Sequence, residues 1–177
     1  MIAEKPVLLT DKTRLQEIFE LRVNAYEHSP FSQYINHQNA PNGLFDDLDF
    51  SPSCYHWIIE SGHKIIASCR LSMVRDLKDI SENFWQLGLP QKGSSAFYSR
   101  LVVDKDYRNH GLANLMDQAR IEFIRAHKEE FLTLAWARED RVPALLKLGF
   151  EYQAAITVKV VDAEEPATAL KFVQRQY

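Results

Sequence analysis

The sequence predicts an α/β fold of the α+β kind, a mixed central sheet of about six to seven strands with helices on both faces. Three observations predict it. Residues 97–103 read as a strand and 111–127 as a helix, joined by the tight turn Arg108-Asn109-His110-Gly111-Leu112-Ala113. Apolar residues recur at helical spacing in some stretches and alternate in others. The two patterns follow one another as β-α-(α)-β-β-β-α-β-α-β-β, which mixes hairpins with a strand–helix–strand crossover.

Residues 7–10 read as a short first strand. Thr10 or Asp11 can cap the helix that follows, because their side-chain oxygens accept from its free N–H groups. Leu15, Ile18, Phe19, Val23 and Tyr26 form its apolar stripe. Arg22 falls on that stripe, and a buried charge requires a partner, so it is either a structural ion pair or a site residue. Residues 28–53 are irregular and rich in Ser, Asn, Pro and Asp, with Asn42-Gly43 as a turn. A short helical piece is expected near 44–48. Loops this long are binding loops or mobile surface.

Residues 55–60 and 64–74 read as a hairpin around Ser61-Gly62-His63. Cys69 lies among its apolar residues as a small core side chain. Residues 76–93 carry no clear pattern, though Trp85 and Leu87 can pack the segment down. On the 111–127 helix, Leu112, Leu115, Met116, Ala119 and Phe123 are expected to face the core. Residues 131–137 read as a strand and 142–147 as a short helix ending at Gly149. Residues 150–161 and 169–176 read as a closing hairpin, with 162–166 as its acidic turn.

Composition bounds the function. The chain has 177 residues, 46% apolar and 25% charged, which fits one globular domain over 1–177. No apolar run is long enough to span a membrane. The start has no apolar signal core, and cytoplasmic location is the expectation. A net charge of −3 argues against a nucleic-acid partner. Cys54 and Cys69 read as free thiols. His28, His37, His56, His63, His110 and His127 show no paired ligand spacing, so no metal is expected. No Gly-x-Ser-x-Gly elbow is present.

The turn at 108–113 carries the chemistry. The first N–H groups of a helix have no intrahelical partner, and its dipole favours an anion there. Gly111 permits close backbone approach, and Arg108 adds a forked cation. A Walker loop requires Gly-Lys-Ser/Thr, which is missing, and a Rossmann turn requires three glycines where only Gly111 stands.

The pattern Arg-x-x-Gly-x-Ala, with its strand before and helix after, resembles the pyrophosphate loop of the GCN5-related N-acetyltransferase superfamily. Lys147-Leu148-Gly149-Phe150 resembles the family's Glu-Lys-x-Gly-Phe. The element order resembles that fold along nearly the whole chain. The resemblance implies acyl transfer from acetyl-CoA, or another acyl-CoA, to an amine of a small molecule or protein. Asn109, His110, Gly111, Leu112 and Ala113, with Arg108, would hold the pyrophosphate. Leu101, Val102 and Val103 would offer a strand edge to the pantetheine arm. A backbone N–H there would stabilise the oxyanion.

Departures follow. Many members carry a tyrosine acid where this chain has Leu145, and an asparagine where it has Arg138. Tyr98 and Tyr152 are the substitute candidates. A thiolate can also leave without a strong acid.

Leu21-Arg22-Val23-Asn24-Ala25-Tyr26, Asp46-Asp47-Leu48-Asp49, Cys69-Arg70-Leu71 and Ser99-Arg100-Leu101 resemble the autoinducer-synthase and N-acyl amino acid synthase branch. That branch implies long acyl groups, often from acyl carrier protein, and amino-acid-like acceptors. Arg22, Tyr26, Arg70 and Arg100 would then line the acceptor end. Alternatively the arginines pair with Asp46, Asp47 or Asp49 as scaffolding. The homoserine-lactone synthases place a glutamate where this chain has Phe97. A module that binds acyl-CoA without turnover, and a homodimer, stay open.

Overall fold

The computed structural model describes residues 5–76, 87–89, 92–127, 131–160 and 163–173. Its elements are β1 (Val7–Leu8), α1 (Leu15–Glu27), β2 (Cys54–Ser61), β3 (Lys64–Asp76), β4 (Lys92–Val103), α2 (Leu112–Ala126), β5 (Leu132–Ala137), α3 (Val142–Lys147), β6 (Glu151–Val160) and β7 (Ala163–Val173). The strands form one seven-stranded sheet in the order β1-β2-β3-β4-β5-β7-β6. Among the described residues only β4 and β5 pair in parallel.

Alternation along β2 sorts the two faces. Trp57 and Ile59 join the core cluster of Leu112, Met116, Ile121 and Ile124 from α2. Ile58 joins Leu15, Ile18, Phe19 and Leu21 from α1. The middle strands are therefore covered on both sides, which is why β3 is buried at nearly every position. A smaller cluster joins Phe97, Leu132, Leu134 and Trp136 to Leu87. That matches the packing expected of Leu87; Trp85 lies outside the described residues.

Several boundaries differ from expectation. β4 begins at Lys92 rather than at residue 97. The helical piece near 44–48 is a 3-10 turn at Asp47–Phe50, closed by a capping box between Asp46 and Asp49. Asp11 caps a 3-10 turn, Lys12–Arg14, that leads into α1. Leu115 is 39% exposed and leaves the expected core face of α2. The buried stripe instead takes in Asp117 and Arg120.

The acidic stretch expected as a turn is mostly strand. Pro166 pairs with Thr157 and Glu165 with Val158, within β7. Pairing of β7 with β5 stops at Thr168, so on that side Pro166 needs no N–H donor. Polar composition misled here because both strands are partly exposed at this end.

Candidate active site

The sheet opens at its parallel pair. β4 and β5 pair from Ser95 with Leu132 to Tyr98 with Ala135, and then separate. β4 continues beside β3 to Val103. Among the described residues the edge carrying Leu101, Val102 and Val103 therefore has no strand neighbour on the β5 side. A bulge marks the start of this opening. Arg70 faces Ser99 and Ser68 faces Val102, so Arg100 and Leu101 oppose Cys69 alone. Arg100 absorbs the extra residue with φ 55°. Arg120 of α2 steadies the bulge, its Nη1 donating to the carbonyls of Arg70 and Ser99, each at 3.1 Å.

The predicted anion turn stands beyond the same strand. Asn109 and Gly111 have φ of 65° and 78°. Gly111 is the N-cap of α2, and no side chain caps that helix. A Cβ built on Gly111 meets nothing within 4 Å, so the space over the turn is open. His110 Nδ1 lies 2.8 Å from the Arg108 carbonyl, within the turn itself.

Arg108 departs from its expected role. Its guanidinium turns away to the end of α1, donating to the carbonyls of Ala25 (2.7 Å) and His28 (2.8 Å). The last carbonyls of a helix lack helical partners, and a cation there also meets the negative dipole end. Arg108 thus ties α1 to the loop. The turn itself presents backbone N–H groups at the start of α2, which no side chain caps.

Two cavities meet at the opening. One, about 330 Å³, lies between β4, β5, α2 and α3, with Leu101, Val103, Ala113, Asp117, Arg141 and Leu145 in its wall. The other, about 600 Å³, lies toward α1 and the β6–β7 hairpin, with Phe31, Ile35, Leu44, Val158 and Pro166 as apolar wall. Tyr26, Arg100, Leu101, Val103, Trp136, Arg138 and Arg141 line both. Arg138 lies over the Phe31 ring and faces Asp140 at 3.4 Å.

The three candidate acceptor arginines are paired with carboxylates. Arg22 grips Asp49 through two bonds of 2.8 and 2.9 Å, and both side chains are fully buried. Arg70 reaches Asp46 at 2.6 Å and Asp49 at 3.0 Å. Arg100 reaches Asp46 at 2.7 Å. His56 closes the network, its Nε2 2.9 Å from Asp49. Asp47 points to solvent. Burial alone would raise the Asp49 carboxyl, but bonds from His56 and Arg22 hold it far below the usual range. Burial lowers His56, and Arg22 adds to that, so the imidazole is neutral and donates to Asp49. This network anchors the 44–50 segment to the sheet. Only Arg100 and Asp46 retain partial exposure, at 25% and 34% of their side chains.

The tyrosines are placed differently from one another. Tyr98 is buried, and its hydroxyl donates to Asp117 Oδ1 at 2.8 Å. Burial pushes its pKa well above 10, against the pull of Arg120 lying over its ring. Its proton is held by Asp117 rather than presented to the cleft. Tyr152 is 59% exposed at the start of β6 and lines neither cavity. Tyr26 is the tyrosine on both cavity walls.

Some site residues were missed in the sequence. Asp117, Arg120 and Arg141 form a second charged cluster, with Arg120 Nη2 2.8 Å from Asp117 and Arg141 bonded to its other oxygen. Asp117 and Arg120 lie on the buried stripe of α2, where the reasoning applied to Arg22 would have singled them out. Arg141 follows β5 in a 3-10 turn and carried no local signal.

Asp49, Cys54 and His56 come together although their spacing suggested no ligand set; their donor atoms lie within 4.8 Å of one another. They do not suit a cation. Both Asp49 oxygens already face guanidiniums, and burial raises the Cys54 thiol so that it stays protonated.

No helix among the described residues is long and apolar enough to cross a membrane. A comparison with curated protein sequences gives no match. Solved structures share the fold. A CoA-dependent acyl-homoserine lactone synthase, BjaI, is 16% identical, with TM-score 0.70 over 98% of this chain and 85% of that one. An HPA2-related acetyltransferase from Corynebacterium glutamicum is 17% identical, with TM-score 0.67 over 98% of both chains. The ribosomal-protein-S18-alanine N-acetyltransferase from Escherichia coli is 15% identical, with TM-score 0.61 over 97% of this chain and 96% of that one. The Acetyltransferase (GNAT) family model matches residues 15–150, which hold the bulge, the opening and the αL turn, and the chain belongs to that family of acyltransferases.

Proposed function

We propose that the chain moves an acetyl group from acetyl-CoA to an amine of a small molecule or a protein. The meeting of two cavities at the β4–β5 opening, beside the glycine turn of α2, carries this reading. The pyrophosphate sits on the N–H groups from Asn109 to Ala113, where dipole and free donors coincide. The amide-bearing arm pairs with the Leu101–Val103 edge as an added strand. The thioester then lies at the opening, where a backbone N–H polarises its carbonyl. The amine approaches through the larger cavity. When bound, acyl-CoA supplies the activated carbonyl and a good leaving group; the chain supplies orientation and exclusion of water.

A second reading has its own support. The pairing of Arg22, Arg70 and Arg100 with Asp46 and Asp49 joins all four stretches that resemble the autoinducer-synthase and N-acyl amino acid synthase branch. Phe31, Ile35, Leu44 and Val158 give the larger cavity an apolar wall that suits a longer acyl chain. The donor in that case is a longer acyl-CoA or an acylated carrier protein.

A thermal-shift panel of acetyl-, octanoyl- and palmitoyl-CoA separates these readings. Stabilisation by acetyl-CoA as large as by the longer donors supports acetyl transfer. Stabilisation that grows with chain length supports the second. No shift with any donor would contradict both.

A further inference from the structure

Breaking a thioester leaves an electron pair on sulfur, and the side chain that meets it need not be an acid. We propose that Arg141 stabilises the leaving thiolate as a fixed cation, in the slot between β4, β5 and α3. This rests on the acyl-CoA reading above.

Asp117, Arg120, Arg141 and Tyr98 all line that slot. Asp117 is buried and takes Arg120 on one oxygen and Arg141 on the other. Two guanidiniums against one carboxylate leave net positive charge in the wall, and the burial of Asp117 and Arg120 behind Arg141 strengthens its pull on an anion.

The two arginines differ in access. Arg120 is 1% exposed, and its Nη1 is spent on the two bulge carbonyls. The Arg141 side chain is 30% exposed and lines both cavities. It meets Asp117 through Nη2; among the described residues its Nε and Nη1 carry no protein hydrogen bond. Tyr98 cannot compete, since its proton belongs to Asp117. Leu145, one helical turn after Arg141, is buried in the same wall and has nothing to donate. On the α3 side of the slot Arg141 offers sulfur a permanent charge; the tyrosine that lines both cavities, Tyr26, brings its hydroxyl from the α1 side.

The step balances without an acid. The amine lone pair forms the C–N bond at the carbonyl carbon. The C–S bond breaks, its electron pair stays on sulfur, and the ammonium proton passes to water. A guanidinium facing the sulfur favours the thiolate over the thiol, so the leaving group stays ionised at lower pH than free CoA does.

The test titrates the thiol of bound CoA by its thiolate absorbance, with desulfo-CoA as the binding control. Wild type is compared with Arg141→Gln and Arg141→Lys. In wild type the bound thiol ionises at lower pH than free CoA, and in alkaline buffer CoA binds about tenfold more tightly than desulfo-CoA. Arg141→Gln loses that preference and Arg141→Lys keeps most of it, with desulfo-CoA affinity equal in all three. An unchanged thiol titration in Arg141→Gln would overturn the proposal. So would an equal loss of CoA and desulfo-CoA affinity, which assigns Arg141 to scaffolding through Asp117. Failure of wild type to bind either compound would instead overturn the acyl-CoA reading itself.

Discussion

At Gly111 the proposed donor site rests on one residue without a side chain. Its φ of 78° is one that glycine adopts without strain, and the space above it is open. Gly111→Asp should cost about 1 kcal/mol of stability, since Asp tolerates the left-handed region better than most residues. Its carboxylate would face the pyrophosphate, so acetyl-CoA affinity should fall beyond detection in calorimetry. Native affinity in a folded variant would contradict the loop assignment. The tyrosines make a second test. Tyr98→Phe leaves Asp117 with one donor fewer and should lower stability by about 1–2 kcal/mol. Tyr152→Phe, on an exposed strand end, should leave both stability and kcat unchanged. A large kcat loss in Tyr152→Phe would restore it as an acid. Gly111 was legible in the sequence because its motif is local. The commitment of Tyr98 was not, because its partner Asp117 lies on the following helix.

The 44–50 segment is held to the sheet by arginines from α1, β3 and β4. Arg22 announced itself as a charge on an apolar stripe, but its partner in an irregular loop followed no periodicity. Arg22→Ala removes both bonds to a fully buried Asp49 and should cost about 3–5 kcal/mol in a denaturant titration. Loss under 1 kcal/mol would mean that Arg70 and His56 suffice. The network also sets a pH dependence. His56 has a lowered folded pKa, so the unfolded chain takes up the proton first. Its contribution is complete above about pH 6.5 and is lost as pH falls below that. Asp49 is lowered too, so its contribution is complete above about pH 4 and is lost in stronger acid. The melting temperature should therefore fall between pH 7 and 5, and His56→Gln should flatten that slope. An equal slope in both proteins would place the titration elsewhere.

For the whole molecule, the alternation of strands and helices was legible because each element carries a buried face of its own period. A mixed sheet was expected from the element order, and the structure makes β4 and β5 its parallel pair. The β7 boundary was not legible, since Glu164, Glu165 and Pro166 look like a turn and extend a half-exposed strand. Nor was the turn of Arg108 toward α1, because the carbonyls it meets are 80 and 83 positions away in sequence. These pieces converge on one opening with two cavities, the smaller of which we assign to the donor and the larger to the acceptor. The most direct test is amine-dependent thiol release from acetyl-CoA, read against a pool of amino acids, polyamines and peptides. The account predicts CoA release above the no-amine rate and an acetylated amine in equal amount by mass spectrometry. Binding of acetyl-CoA with no amine-dependent release, across the pool and with longer acyl donors, would contradict it.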